Sequence, residues 1–478
     1  MLYYAKMKKI LLLNPPGSRK FLRDQYCSSA TKADYYWPAV DLLVLSGILS
    51  EHFELEVCDA IAEAVDEKTL IEKIISSSYY ALISLSSSAS MDEDFALFKA
   101  IKARSKTIIV INAGFTRDNS KKYLKQHDFI DAVIIDYIKF GIVDYLREKP
   151  GPYQGLCAKA NKQIIEQCDV LELNTGFSYP VPRHELFALD KYYLPQARKR
   201  PFTCCLISYG CKYGCTYCSS GSIGFKLRNI DNIILELKAI KALGISEVHF
   251  PDFTFTADQE HARKLCQAML DADLRLSWDC LTRVDCFDID TAILMKKAGA
   301  HTIQFGIETQ NEQLLKKMAK PISNQQVRRC FLICKQLALE TIGFFIIGLP
   351  GEDAQSIKKS INFACELNCD YAAFSVYVPD YGSLLRKQLE AMDPLISSIK
   401  NFDRTMYPVI DNQILSRQEI WQLRDYALKK FYLRPKYIWQ QIKKLNSLEK
   451  IKAICKMGYS VIKGANSLKV SKILKESK

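Results

Sequence analysis

The sequence predicts an α/β protein in four parts. These are a doubly wound, Rossmann-like domain over 1–148, a connector over 149–200, a partial (β/α)6 barrel of TIM type over 201–385 and a basic helical extension over 386–478. Three observations carry this reading. Short continuous apolar runs alternate with helical periodicity through the first domain, the pattern of a parallel sheet covered by helices. The alternation resumes after residue 200 with a longer repeat and six apolar runs. Between the two series, Pro150, Pro152, Pro180, Pro182 and Pro195 fall in a stretch with little periodicity.

In the first domain the run at 8–14, closed by Pro15 and Pro16, reads as a buried parallel strand. Further runs follow at 54–59, 80–84, 107–113 and 132–136, with helices expected at 40–52, 67–77, 92–104 and 119–127. Ligands of open α/β sheets sit beyond the carboxyl ends of the strands, at the switch point. Those ends carry Asn14, Asp59, the run Ser84-Leu-Ser86-Ser87-Ser88, and Asn112-Ala-Gly114. Small hydroxyl and glycine residues there leave room for the tail of a bulky cofactor.

The stretch Cys211-Lys-Tyr-Gly-Cys215-Thr-Tyr217-Cys218 follows the first apolar run of the second series, at 203–209. Gly210 and Gly214 let the backbone bend so that three thiolates converge. Three close cysteines without a fourth suit a [4Fe–4S] cluster with three protein-held irons and one iron open to an external ligand. A structural zinc site needs a fourth Cys or His to close its tetrahedron, and no His lies near this loop. Zinc and chance clustering are the other readings.

The remaining apolar runs lie at 247–255, 277–285, 302–308, 340–348 and 371–378, with amphipathic helices such as 229–243 and 291–299 between them. Six βα units are enough for a partial barrel, whose reactive groups belong at the carboxyl ends of its strands. Those ends hold Asp252, Arg283, Glu308 with Thr309, Gly348 with Glu352, and Gly382 with Ser383. Cys204, Cys205, Cys330, Cys334, Cys365 and Cys369 read as small buried hydrophobes.

The CxxxCxxC spacing with aromatic Tyr217 resembles the signature of the radical S-adenosylmethionine (SAM) superfamily. The resemblance implies that the open iron chelates SAM and that the reduced cluster cleaves it to a 5′-deoxyadenosyl radical. It also implies an external electron donor of flavodoxin or ferredoxin type. The strand ends resemble those of the cobalamin-type subfamily, closely over 281–320, well over 200–385 and more weakly over 1–150. By position the likeness assigns Tyr217 to SAM, Glu308 and Thr309 to its ribose, Gly348 to adenine, and Asp252 and Arg283 to the methionine end.

In the first domain the likeness gives Asn14, Ser86 and Gly114 as cobalamin contacts. The departures are Ile61 where a cobalt-ligating His would stand, Ala113 before Gly114 for Gly-Gly, and Asp136-Tyr-Ile-Lys-Phe-Gly141 for an acidic loop. A Rossmann-like domain that has lost cobalamin is the alternative. Lys430-Phe-Tyr432-Leu-Arg434-Pro435 is similar to the hopanoid-biosynthesis-associated branch. That likeness implies methylation, ring formation or rearrangement at an unactivated carbon of a lipid-like or secondary-metabolite substrate. Two other functions are weighed: a tRNA methylthiotransferase, and an inactive membrane-associated scaffold. The former carries a second N-terminal cysteine triad, whereas only Cys27 and Cys58 precede residue 150.

With 48% hydrophobic and 25% charged residues, the composition is that of a soluble globular protein. The 17 cysteines are scattered and odd in number, and no run suits a signal peptide or a spanning helix, so the expected compartment is the reducing cytoplasm. The net charge of +13 is concentrated, since 429–478 holds 14 Lys and Arg against two acids. Helices there with Tyr437, Trp439, Ile442 and Leu445 are expected to touch an anionic membrane surface. Nucleic acid is not expected, as nothing resembles a base-reading module.

Overall fold

The computed structural model describes residues 7–31, 35–161, 163–167, 173–399 and 403–443. Two compact units are present: Met1–Thr302 with Pro379–Asp403, and Ile303–Val378 with Arg404–Lys478.

The first unit opens with β1 (Lys9–Asn14), followed by an antiparallel hairpin, β2 (Phe21–Asp24) and β3 (Cys27–Ala30). β4 (Glu54–Asp59), β5 (Ala81–Leu85), β6 (Ile108–Asn112) and β7 (Ala132–Ile134) then pair in parallel around β1. Helices Val40–Ser50, Glu67–Ser77 and Met91–Arg104 fall where the apolar spacing puts them. The sheet continues beyond the expected domain end. β8 (Leu156–Ala160) and β9 (Gln163–Gln167) add two antiparallel strands, giving the order β4-β1-β5-β6-β7-β8-β9. Part of the supposed connector therefore belongs to the first sheet. Its Leu156, Cys157 and Ala158 are buried against the core, while polar Lys159 and Gln163 hide the strand signal.

The chain turns from one side of β1 to the other between β4 and β5, so the switch point lies between β1 and β5. Buried Leu, Ile and Val of β1, β5 and β6 form the centre of both faces. The closing segment of this unit returns late in the sequence. Asp403 accepts from Arg19 Nη1 at 3.1 Å and from the Ala30 amide at 3.1 Å, and the Leu385 amide donates to the Thr216 carbonyl at 2.8 Å.

The apolar run expected as one strand at 203–209 divides. β11 (Thr203–Cys204) joins the barrel sheet, whereas β12 (Ser208–Gly210) joins a small sheet of order β10-β13-β12 with β10 (Leu173–Phe177) and β13 (Phe225–Arg228). The break comes where the Ile207 and Ser208 amides turn to the Asp252 carboxylate instead of a neighbouring strand. The barrel strands are β11, β14 (Glu247–Phe250), β15 (Ser277–Thr282), β16 (Ala300–Glu308), β17 (Glu340–Ile347) and β18 (Tyr371–Val376), in chain order. β11–β14, β14–β15 and β17–β18 pair in parallel.

The second unit holds β17, β18 and the end of β16, with helices Asn324–Gln336, Ala354–Leu367, Arg417–Tyr432 and Pro435–Lys443. Ser416 and Glu419 form the expected capping box at the start of Arg417–Tyr432. Tyr437, read as a surface residue, is turned inward and donates to the Asp370 carbonyl at 3.1 Å. Ile438, Trp439 and Ile442 are exposed on the same helix. Leu445 and the rest of the basic tail lie outside the described residues.

Candidate active site

β12 and β13 are antiparallel, so the 211–224 loop hangs from a hairpin. Its neck is tight. Gly210 has φ +76°, and a Cβ there would meet the Gly224 carbonyl oxygen at 2.0 Å. This close approach lets the Cys211 amide donate to Gly224 at 2.9 Å, and only glycine permits it. Cys211, Cys215 and Cys218 are all half-buried. Each sulfur is approached by an N–H donor: the Tyr213 amide at Cys211, the Ser220 amide 3.4 Å from Cys218 Sγ, and Arg283 Nη1 3.3 Å from Cys215 Sγ. Burial pushes the Cys211 thiol up to about 11, with the Tyr213 amide pulling the other way. A thiol bound to metal loses its proton outright, which removes that penalty. Three thiols in a partly covered loop, with donors for their sulfur charge, fit a [4Fe–4S] cluster held at three irons. Tyr217 is half-buried within the loop.

Asp252, just beyond β14, is fully buried, and burial raises its carboxyl to about 6. Its Oδ1 accepts from the Ser208 amide and hydroxyl, both at 2.6 Å, and from the Ile207 amide at 3.2 Å. Asp252 holds the backbone that enters the cluster loop. Arg283, beyond β15, makes a fork to Asp285 at 2.9 and 2.8 Å, and its guanidinium lies 4.0 Å from the Tyr213 ring centre. The Tyr213 hydroxyl in turn lies 2.6 Å from Cys286 Sγ. All three guanidinium nitrogens thus have partners, and the one at the loop points to sulfur.

In the second unit, Glu308 ends β16 with φ +66°, a conformation rare outside glycine, and pairs with buried Lys320 at 2.5 Å. Gly306 makes room for this pair, since a Cβ there would meet Glu308 Oε1 at 2.8 Å and Lys320 Nζ at 2.9 Å. Thr309 is fully buried and bonds Glu352 Oε1 at 2.9 Å, with Ser360 Oγ at 3.0 Å. Glu352 Oε2 accepts from the Gly348 amide at 3.1 Å and the Leu349 amide at 3.3 Å, and burial raises its carboxyl to about 7. Gly348 itself has φ +82° and would strike Ile420 if it carried a Cβ.

At the β1/β5 switch point, Arg23 of the hairpin pairs with Asp94 at 2.8 Å, both side chains fully buried. Asn14 Oδ1 accepts from Arg23 at 3.1 Å, and the Ser86 hydroxyl donates to Asp94 at 2.8 Å. The side chains of Asn14 and Ser86 therefore face this network. Gly114 differs, as a Cβ there would meet nothing within 4 Å. Gln25 Nε2, at the hairpin turn, is buried without a partner.

Sequence reasoning missed the hairpin with Arg23, and also Tyr213, Asp285, Cys286, Lys320 and the role of Glu352. None has a spacing signal: Arg23, Tyr213 and Cys286 meet partners distant in the chain, and the local contacts of Asp285 and Glu352 follow no repeating pattern. The donor atoms of Glu247, Asp279 and His301 lie within 4.8 Å of one another, all buried. His301 Nε2 meets Glu247 at 2.7 Å and His249 Nδ1 meets Asp279 at 2.9 Å, so imidazole–carboxylate pairs account for that group. Cys204, Cys205, Cys330, Cys334 and Cys369 are buried as expected, and Cys365 is half-buried. Cys58 is buried in the N-terminal sheet, and Cys27, in the separate β2–β3 hairpin, meets Ser29 at 3.3 Å.

A three-cysteine loop follows the first strand of the barrel sheet. Residues 205–364 match the Radical SAM superfamily, and the chain carries a radical SAM domain. The uncharacterized methyltransferase PH0819 of Pyrococcus horikoshii is 28% identical over 453 residues, covering 91% of this chain and 95% of that one. Cytidylyl-2-hydroxyethylphosphonate methyltransferase of Streptomyces wedmorensis is 28% identical over 226 residues, 44% of this chain and 42% of its own. Among solved structures, the radical SAM methyltransferase TsrM from Kitasatospora setae, with cobalamin and a [4Fe–4S] cluster bound, superposes with a TM-score of 0.62. It covers 80% of this chain and 78% of its own, at 18% identity, so the likeness is one of fold.

Proposed function

We propose that this chain is a cobalamin-dependent radical SAM methyltransferase acting on a small molecule. The observation that carries the proposal is the three-cysteine loop in a chain similar over nearly its whole length to a protein named as a methyltransferase. When bound, the cluster delivers the electron that cleaves SAM, and cobalamin supplies the methyl group. The chain's own part is to hold the loop through Asp252, to place donors on the three sulfurs, and to keep water out. The proposed SAM contacts are Tyr217, Glu308 and the backbone at Gly348. An outlying φ at a buried, paired carboxylate such as Glu308 is the kind of stored constraint found at ligand sites.

The reducing electron is proposed to come from an external one-electron donor of flavodoxin or ferredoxin type. The compartment proposed is the cytoplasm, with a peripheral membrane contact through the basic tail. No helix among the described residues is long and apolar enough to cross a membrane. The segment that suggested a lipid-like substrate serves packing. Phe431 is fully buried, the Tyr432 hydroxyl donates to Ala372 at 2.7 Å, and Arg434 donates to the Cys365 carbonyl at 2.6 Å. A lipid-like substrate therefore has no support from those residues, and the proposal stops at a small molecule.

A second reading, a radical SAM enzyme without cobalamin, is favoured by the inward-facing Asn14 and Ser86. Anaerobic reconstitution with iron, sulfide, SAM and hydroxocobalamin decides between the two. The expected result is iron–sulfur absorption near about 400 nm that disappears in a Cys211→Ala, Cys215→Ala, Cys218→Ala variant. Cobalamin should bind with a base-off spectrum and no histidine below cobalt. Retention of the cluster in the triple variant overturns the site, and failure to bind cobalamin overturns the methyltransferase reading alone.

A further inference from the structure

The three sulfur atoms of the loop do not receive equivalent donors. Cys211 and Cys218 are met by backbone amides of the loop itself, which carry only partial charge. Cys215 is met by a guanidinium, 3.3 Å from Nη1 to Sγ. A donor carrying a full charge makes roughly twice the hydrogen bond of a neutral one, and it favours whichever cluster state is more negative. Hydrogen bonds to the sulfurs are among the features that set the potential of an iron–sulfur cluster.

The guanidinium is also fixed in place. Asp285 takes Nε and Nη2 in a two-point fork, the Tyr213 ring covers one face, and Cys286 holds the Tyr213 hydroxyl. Only 5% of Arg283 is exposed. A long cation restrained in this way loses little freedom when it binds, so its bond to Cys215 is maintained rather than occasional.

We infer that Arg283 is a positioning residue that sets the reduction potential of the cluster through Cys215, with Asp285 and Tyr213 aiming it. The inference rests on the radical SAM reading. Reduction adds one electron, from the external low-potential donor, and no proton or bond change is required of Arg283. Its charge-assisted N–H···S bond stabilises the reduced form more than the oxidised one and so raises the potential. This role differs from the methionine-end contact that sequence likeness implies for the same residue.

The test is anaerobic redox titration of the reconstituted full-length chain, followed by electron paramagnetic resonance, for wild type, Arg283→Gln and Asp285→Asn. Iron content, melting temperature and SAM affinity are measured in parallel. The reduction equilibrium is expected to fall about tenfold in Arg283→Gln, which is 59 mV more negative for a one-electron couple. A smaller shift in the same direction is expected for Asp285→Asn, where Arg283 remains but loses its clamp. If Arg283→Gln does not hold a cluster, Asp285→Asn carries the test, and an unshifted potential there overturns the inference. Unchanged potentials with weakened SAM binding also overturn it, in favour of a direct SAM contact. A wild-type chain that assembles no cluster defeats the radical SAM reading itself, which is a separate outcome.

Discussion

Asp252 accepts from two amides and a hydroxyl at the entry to the cluster loop, so removing its carboxylate leaves three donors facing a buried space. Asp252→Ala is expected to lower stability by about 2–4 kcal/mol and to reduce iron retention on gel filtration. Glu352 gives a pH signature. Burial raises its carboxyl from the ordinary 4.5 to about 7, so between those values the folded chain keeps a proton that the unfolded chain has released. Its contribution to stability is therefore favourable at the acid end and falls as pH rises through the window, by on the order of 3 kcal/mol in total. Urea unfolding of wild type and Glu352→Gln at several pH values should show the difference between them changing with that sign. Both residues sit at strand ends where sequence alone expects chemistry. Sequence names the position but not the partner, and at Asp252 and Thr309 the partner turned out to be the chain's own backbone or a neighbouring side chain.

At the scale of elements, the strands with continuous apolar runs begin within a residue or two of where the sequence puts them, because burial on both faces leaves no polar alternation to misread. β14 and β15, by contrast, stop at Phe250 and Thr282, short of the ends expected at 255 and 285. The hairpin Phe21–Ala30 was not legible. It contains Arg23, Asp24, Ser28 and Ser29, and its burial depends on the ion pair with Asp94, which lies 71 positions away. The run at 203–209 was read as one strand for the opposite reason, since its apolar residues are buried but serve two sheets. The cluster loop depends on the neck of the β12–β13 hairpin. Gly210→Ala brings a Cβ against the Gly224 carbonyl and occupies a left-handed backbone position, so the hairpin must open. The expected outcome is loss of most of the reconstituted iron with the circular dichroism spectrum retained, and normal iron content would show that the loop tolerates a wider neck.

For the whole molecule, the charge distribution predicts behaviour at surfaces. Ile438, Trp439 and Ile442 are 44%, 60% and 50% exposed on one helix, and ten of the 14 Lys and Arg of 429–478 follow them in sequence. Each Lys or Arg near an anionic surface is worth about 1 kcal/mol. Sedimentation with anionic vesicles is expected to weaken with salt, and to be lost on truncation after Lys443 combined with Trp439→Ser. The cut is placed there because Tyr437 packs against Phe431 and Tyr432, and an earlier one would damage the fold. Equal sedimentation of the two forms would leave the tail as a solvated extension. The late return of 379–403 to the first unit bears on how the protein is made. Asp403 ties Arg19 and Ala30 only once the ribosome has passed the whole of Ile303–Val378. At about 5–20 residues per second, the nascent first unit waits roughly 5–20 s for its last segment. During that interval the contacts of Arg19 and Ala30 are unmade. Newly made chains should therefore be most open to chaperones and proteases while this return is still inside the ribosomal tunnel.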